Sequence, residues 1–271
     1  MAWEQELALA ATAASKGAEI ALNSALNLDI QIKESKRDIV TAVDLHIQTV
    51  LTELLADSAI PVLGEEDISG SSYAMNDQIL RWVIDPIDGS VNFANQLDYY
   101  AVSIGLCRGL DYLLGAVSLP KLGELYLSHA PDFSQLNGKT LKHEHRSAET
   151  SLVAGSISGF AGDPVLRQAQ YQLFGSLNDA TRGCLRLGST AVNLCFVASN
   201  RLQLAYGFNA KIWDVAGGLA VAQAAGCHVI VVPSGDQFSV DYMAGSRDTV
   251  ALALKLAIEH GLMKADSILT S

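Results

Sequence analysis

The chain has 271 residues, 29 of them acidic and 18 basic, for a net charge of −11. Hydrophobic residues make up 49% and charged ones 17%, which allows a sizeable core and argues against extended disorder. The length fits one large domain or two closely packed lobes, and the lack of any Lys/Arg-rich run argues against nucleic acid as a partner. A chain this acidic needs help to bind an anionic substrate, and divalent cations are the obvious helper.

Residues 1–22 carry Glu4 and Glu6 where a secretory leader would be positive, and their apolar residues recur at helical spacing. This reads as an amphipathic helix. No apolar run reaches the length of a membrane span, so the expected location is the cytoplasm. The four cysteines, Cys107, Cys184, Cys195 and Cys227, show no CxxC spacing and read as buried free thiols.

Thr41 is placed to cap a second helix, with Val43, Ile47, Val50, Leu51, Leu54 and Leu55 as its buried stripe. Ile60–Leu63 reads as a short strand closed by Gly64, and Ile79–Ile84 as another that ends at Asp85. Tyr100–Cys107 and Tyr112–Leu119, joined by Arg108–Asp111, have a hairpin signature, and Glu124–Ser128 extends the meander. Asn137-Gly138 marks a tight turn, and the polar stretch Lys142–Thr150 is the boundary between two lobes, 1–145 and 146–271, of a single domain spanning 1–271. His143 and His145, in that stretch, read as parts of a solvated loop.

Beyond the boundary, strands and helices alternate. Ser151–Ile157 is extended, Asp163-Pro164 starts a helix, and Ser189 caps another through Val197. Leu202–Tyr206 is a strand, Asp214 opens an Ala/Gly-rich helix to Ala225, Cys227–Val232 is a strand, and a last helix runs from Thr249 to His260. The order predicts helices layered on sheets, antiparallel in the first half and mixed in the second.

The most informative segment is WVIDPIDGSVNF, Trp82–Phe93. An apolar strand delivers Asp85, Pro86 interrupts the ladder, and the ensuing turn brings Asp88 close to Asp85. Two carboxylates at this spacing repel unless a cation lies between them, and oxygen ligands suit magnesium. Gly89 then permits close backbone approach, and a helix starting here would aim the amides of Gly89 and Ser90 outward as an anion cradle. Glu65, in Gly64-Glu65-Glu66-Asp67, reads alone as a surface turn and together with the aspartates as a further ligand. Asp214, in Trp213-Asp214-Val215-Ala216-Gly217-Gly218, reads equally as a helix N-cap or as a ligand carried in by a tightly packed helix.

With GEE upstream and WDVAGGLAVAQAAG downstream, this run resembles the inositol monophosphatase family of metal-dependent phosphatases. Lys33 with Asp38–Asp44, Gln135–Lys139 and Arg186–Asn193 follow the family's further segments in order. The resemblance implies an α/β fold of the α+β type, a layered αβαβα sandwich, holding two or three Mg2+ ions. By position, Glu65, Asp85 and the carbonyl of Ile87 would bind the first ion; Asp85, Asp88 and Asp214 the second; Glu65 would help with a third. Gly89 and Ser90 would hold the phosphate through their amides. Asp44 and the Ser90 hydroxyl would orient the attacking water, and Gly188, Ser189 and Thr190 would face the substrate along with Asp88 and Asp214. Asp44 reads otherwise as an ordinary first-turn acid of a helix. Lys33 would lie near the metals or, with Lys36 and Arg37, form a solvated basic turn.

The same resemblance implies a lithium-sensitive homodimeric hydrolase acting on a small phosphorylated metabolite, inositol 1-phosphate first. Fructose 1,6-bisphosphate, histidinol phosphate and a phosphorylated nucleotide are alternatives; a largely non-catalytic regulatory partner is the competing class. Two positions depart from the family pattern. Ser90 stands where Thr is usual, keeping the hydroxyl, and Gly207 stands where an acidic residue commonly binds sugar hydroxyls.

Overall fold

The computed structural model describes residues 3–24, 30–32, 39–65, 75, 78–157 and 163–264. Lys33, Lys36, Arg37, Asp38, Glu66 and Asp67 lie outside them, as does the Thr41 side chain, so the readings placed on them have no structural counterpart here.

The expected meander forms the centre of a seven-stranded sheet in sequential order: β3 (Val62–Gly64), β4 (Leu80–Asp88), β5 (Ala101–Arg108), β6 (Asp111–Leu119), β7 (Glu124–His129), β8 (Phe133–Leu136) and β9 (Lys139–Thr140). β5 is buried along nearly its whole length because helices cover both faces of the sheet, so it reads as a continuous apolar run rather than an alternation. The sequence predicts an antiparallel first sheet, and one edge departs from it. β3 pairs with β4 in parallel, Val62 opposite Trp82, because the long connection 65–79 gives the chain room to cross over and return in the same direction. A separate two-stranded ribbon, β1 (Ile30–Ile32) with β2 (Ile39–Thr41), precedes it.

The second sheet has the order β11 (Cys184–Leu185), β10 (Val153–Ser156), β12 (Leu204–Lys211), β14 (Ser239–Gly245), β13 (His228–Pro233). The first three strands run parallel and the last two pair antiparallel, so this sheet is mixed, as predicted. Sequence reading passes over β14, whose Gly/Ser/Asp-bearing segment lacks a clean apolar alternation.

Five layers result. α1 (Glu4–Ser24) and α2 (Ala42–Leu55) cover the outside of the first sheet; α5 (Thr190–Ala198) and α6 (Ile212–Ala224) lie between the sheets; α4 (Pro164–Ala180) and α7 (Arg247–Glu259) cover the outside of the second. The burial patterns follow from these positions. α2 buries one stripe, Val43, Ile47, Leu51 and Leu55, while α5 is buried on all sides. α6 is almost as fully buried, and small residues let it sit close to the first sheet. A Cβ on Gly105 would stand 2.7 Å from that of Ala216, and one on Gly217 would stand 2.7 Å from Ser103 Oγ. That close approach sets the depth of the N-terminal end of α6 beside β4.

The polar segment after β9 corrects the solvated reading of His143, which is only 5% exposed. Its Nδ1 lies 3.0 Å from the Val197 carbonyl and its Nε2 3.1 Å from Ser246 Oγ, so it pins the crossover between the sheets to α5 and to the residue preceding α7. His145 accepts at Nδ1 from the Arg247 amide at 3.2 Å. All four cysteines are free and buried. Among the described residues no helix is long and apolar enough to cross a membrane.

Candidate active site

In a regular strand, residues 85 and 88 would point to opposite faces of the sheet. Asp85 pairs with Ser103 and Asp88 with Ala101, so three steps on β4 face two on β5. This bulge at Pro86-Ile87 absorbs the proline's missing donor and turns both carboxylates the same way. The ladder therefore resumes at Asp88 rather than ending at Asp85. Asp214 arrives from across the layer. Lys211, not Asp214, is the N-cap of α6, and Asp214 lies in the first turn, where its carboxylate accepts from the Lys211 amide and lines the cleft. The N-cap reading of Asp214 is thus set aside.

One carboxylate oxygen from each of Asp85, Asp88 and Asp214 lies within 4.8 Å of the others. At that separation two unit charges repel by about 3 kcal/mol at an effective dielectric of about 20, a large cost for the buried Asp85 and Asp88 and the half-buried Asp214. The titration behaviour follows. Burial raises Asp85 well above the usual carboxylate range, and the charges of Glu65, Asp88, Asp214 and Asp44 push the same way. Burial pushes Asp88 up to about 6 against the pull of Ser189 and the amides of Ala191 and Thr190. Asp214 is raised by burial, then by Asp88 and Glu65.

The donor set fits a hard divalent cation. Asp85 Oδ1 is buried with no hydrogen-bond partner among the described residues, an arrangement costly for a carboxylate unless a cation meets it. Asp88 has one oxygen, Oδ2, taken by the Ser189 hydroxyl and by the Ala191 amide at 2.6 Å, which locks the group with Oδ1 directed elsewhere. Glu65, at the end of β3, lines the same cleft of about 390 Å³. The oxygen-only character of the set suits magnesium or calcium better than zinc.

Ser90 begins a five-residue helix, α3 (Ser90–Ala94), after Gly89, whose φ of 93° lies in the left-handed region. A Cβ at Gly89 would come to 3.1 Å from both Ser189 Cβ and the Tyr99 carbonyl, so the turn needs glycine for space as well as for conformation. The Ser90 hydroxyl is 2.9 Å from the Ile87 carbonyl and 3.3 Å from Asp44 Oδ1. It has one proton for these two acceptors. Asp44, in the first turn of α2, is only 1% exposed.

Gly188, Ser189 and Thr190 form the opposite wall. Ser189 caps α5, accepting from the Val192 amide while donating to Asp88. The Thr190 hydroxyl is 3.1 Å from Ser156 Oγ. Asn92 is a residue that sequence reading missed. Its Nδ2 donates to the carbonyls of Tyr99 at 2.5 Å and Leu187 at 2.7 Å, tying α3 to the loop before α5. A buried amide inside the aspartate motif was the available signal. The described site residues, Asp44, Glu65, Asp85, Ile87, Asp88, Gly89, Ser90, Gly188, Ser189, Thr190 and Asp214, gather around this cleft and its rim.

A second cavity of about 260 Å³ opens beside the first and shares Asp88, Arg186, Gly188 and Asp214 with it. Gly207 lies behind this region, and its missing side chain has a structural reason. A Cβ there would stand 2.7 Å from Cε1 of Tyr242 and 3.2 Å from Ser156 Cβ. The Tyr242 ring occupies the volume that an acidic side chain would need, and its hydroxyl lies 3.3 Å from Ser156 Oγ.

The sequence model of the inositol monophosphatase family matches residues 3–262. Inositol-1-monophosphatase SuhB of Mycobacterium tuberculosis is 31% identical over 207 residues, covering 74% of this chain and 71% of its own. A protein of Aquifex aeolicus named fructose-1,6-bisphosphatase/inositol-1-monophosphatase is 31% identical over 237 residues, covering 84% and 85%. The solved structure of Mycobacterium tuberculosis SuhB superposes with a TM-score of 0.78 at 25% identity, over 96% of this chain and 98% of that one.

Proposed function

We propose that this chain, which belongs to the inositol monophosphatase family, hydrolyses small phosphate monoesters with the aid of two or three Mg2+ ions, inositol 1-phosphate among its substrates. The observation that carries the reading is the convergence of Asp85, Asp88 and the half-buried Asp214 from two elements on one point, with Asp85 Oδ1 without a hydrogen-bond partner among the described residues. Glu65, Asp85 and the Ile87 carbonyl would hold one ion, and Asp85, Asp88 and Asp214 a second, with Glu65 helping a third. Divalent ions in such a set acidify a water molecule and neutralise charge on a phosphoryl group.

The chain's own residues supply orientation. Asp44 draws the Ser90 proton toward itself, which leaves the hydroxyl's lone pairs to accept a hydrogen from the attacking water and fix its direction. The amides of Gly89 and Ser90 hold the phosphate oxygens, and Gly188, Ser189 and Thr190 border the leaving side. Water attacks phosphorus, the ester P–O bond breaks in line, and inorganic phosphate and the alcohol are released.

Fructose 1,6-bisphosphate stands as a second substrate, favoured by the double name of the Aquifex relative and by the absence of an acid at Gly207. The same reading takes 1–271 as one functional domain with two lobes, acting in the cytoplasm as a lithium-sensitive homodimer; it rests on the family and on the absence of a membrane-crossing helix among the described residues.

Phosphate release from a panel of inositol, sugar and nucleotide monophosphates, with Mg2+ and after chelation, is the test. Release from at least one member, lost on chelation and restored by Mg2+, is expected. Asp88→Asn is expected to lower turnover by about two orders of magnitude or more while remaining folded, since an amide oxygen still accepts from Ala191. Hydrolysis of no member, or a normal rate in Asp88→Asn, overturns the assignment.

A further inference from the structure

A lysine stands at the edge of the carboxylate cluster. Lys211 is the N-cap of α6, three residues before Asp214, and side chains three apart are neighbours on a helix. Asp214 accepts from the Lys211 amide, and the charge of the ammonium pulls on it against the burial that raises its pKa. Lys211 also borders the second cavity together with Asp88 and Asp214. An ammonium on a flexible four-carbon stem is a ready counter-ion for such carboxylates, and there it competes with a divalent cation.

The structure holds that ammonium elsewhere. Its Nζ lies 2.6 Å from Asp236 Oδ2 and 3.2 Å from Ser239 Oγ, where the turn after β13 enters β14. Asp236 is itself fixed, since Oδ1 accepts from the Phe238 amide at 2.8 Å and from the Ser239 hydroxyl at 2.8 Å. The Lys211 side chain is 35% exposed and that of Asp236 54%, so the pair adds little to stability. The turn has a separate hold on α6. The Ile212 amide donates to the Phe238 carbonyl at 2.8 Å, and the Trp213 and Phe238 rings stand 5.8 Å apart. Backbone and rings seat the helix; the ion pair adds the direction of one charge.

We propose that Asp236 is a positioning residue that acts through Lys211, holding the ammonium away from Asp214 and so keeping the carboxylate cluster open to divalent metal. Released, Lys211 folds back over the first turn of α6 and pairs with Asp214, a tethered cation in the place of Mg2+. The inference rests on the metal-dependent reading above and adds to it a residue outside the cluster that sets how tightly the cluster binds.

Magnesium titrations of the full chain test it, read by calorimetry and by the rise of Tm with Mg2+. Asp236→Asn removes the charge and keeps an acceptor for the Phe238 amide, so the turn is expected to fold, and melts in chelator check it. Its Mg2+ affinity is expected to fall by about three- to tenfold, at the low end for a residue behind the ligands. Its kcat at saturating Mg2+ should stay at the wild-type value, because the ion then displaces the lysine, and Asp236→Glu should recover part of the affinity. The decisive protein is Lys211→Met/Asp236→Asn. With the competing cation gone, affinity should return to the wild-type value or above, and Lys211→Met alone should bind at least as tightly as wild type. The double variant carries the same altered turn, so recovery in it cannot come from the turn. Unchanged affinity in Asp236→Asn overturns the proposal, and so does a loss that persists in the double variant, which would leave the turn only a support for α6. A wild-type chain that binds no Mg2+ overturns the metal-dependent reading and this proposal with it.

Discussion

The hydroxyl of Ser90 and Oδ1 of Asp44, forty-six positions apart in the chain, stand 3.3 Å from each other at the edge of the carboxylate cluster. The contact joins the start of α3 to the first turn of α2, and under the proposed function the two residues share one task. Ser90→Ala is expected to lower kcat by about 10- to 100-fold with little change in KM, and Ser90→Thr to retain most activity. On the proposed mechanism, in which Asp44 acts on the water in part through Ser90, the double variant Ser90→Ala/Asp44→Asn should lose much less than the product of the single losses. Steady-state kinetics on the four proteins decides it, and fully multiplicative losses would separate the two residues.

The place of Asp214 depends on how closely α6 approaches the first sheet. In Gly217→Ala the new Cβ would meet Ser103 Oγ at 2.7 Å and the Ile104 carbonyl at 2.9 Å, neither free to retreat far. A loss of about 1–3 kcal/mol in stability is expected, as for overpacking in a close-packed core. Weaker Mg2+ binding should accompany it, because Asp214 moves with its helix. Denaturant melts and metal titrations of the variant measure both.

Acidity and metal are linked through Asp88. Its folded carboxyl is pushed up to about 6 from an ordinary 3.8, so between those values the metal-free native protein binds more protons than the unfolded chain. Stability from this group is therefore greatest at low pH and is lost as pH rises through about 6. His143 has the opposite sign, since burial lowers its pKa and stability from it is lost as pH falls below about 6.5. The comparison of wild type with Asp88→Asn isolates the first effect. In chelator, the wild type should lose ground relative to the variant between pH 5 and pH 8, and Mg2+ should abolish the difference by binding the wild type. Thermal melts at the two pH values are the measurement.

Gly207 and Tyr242 compete for one volume. Gly207→Glu is expected to destabilise by about 1–3 kcal/mol, and combining it with Tyr242→Ala should cost less than the two changes summed. Strict additivity would mean that the ring does not stand in the way.

The chemistry of this protein was largely written in one dimension. Asp85-Pro86-Ile87-Asp88-Gly89-Ser90 carries its meaning in local terms: a strand that must break at proline, two acids too close to stay ionised alone, and a glycine where no Cβ fits. The order of elements, their layering and the free, buried thiols were equally readable, because hydrophobic periodicity and turn residues are local signals. Three dimensions decided what depends on partners far away in the chain. Whether Asp214 capped its helix or faced the cleft was settled by where α6 begins and by the glycines that let it sink onto the sheet. His143, polar by neighbourhood, is buried because α5 and Ser246 supply its hydrogen bonds, and the empty position at 207 belongs to a ring thirty-five positions later in the chain. Burial, repulsion and excluded volume are properties of assembled surfaces, and a sequence lists only the groups that will exert them.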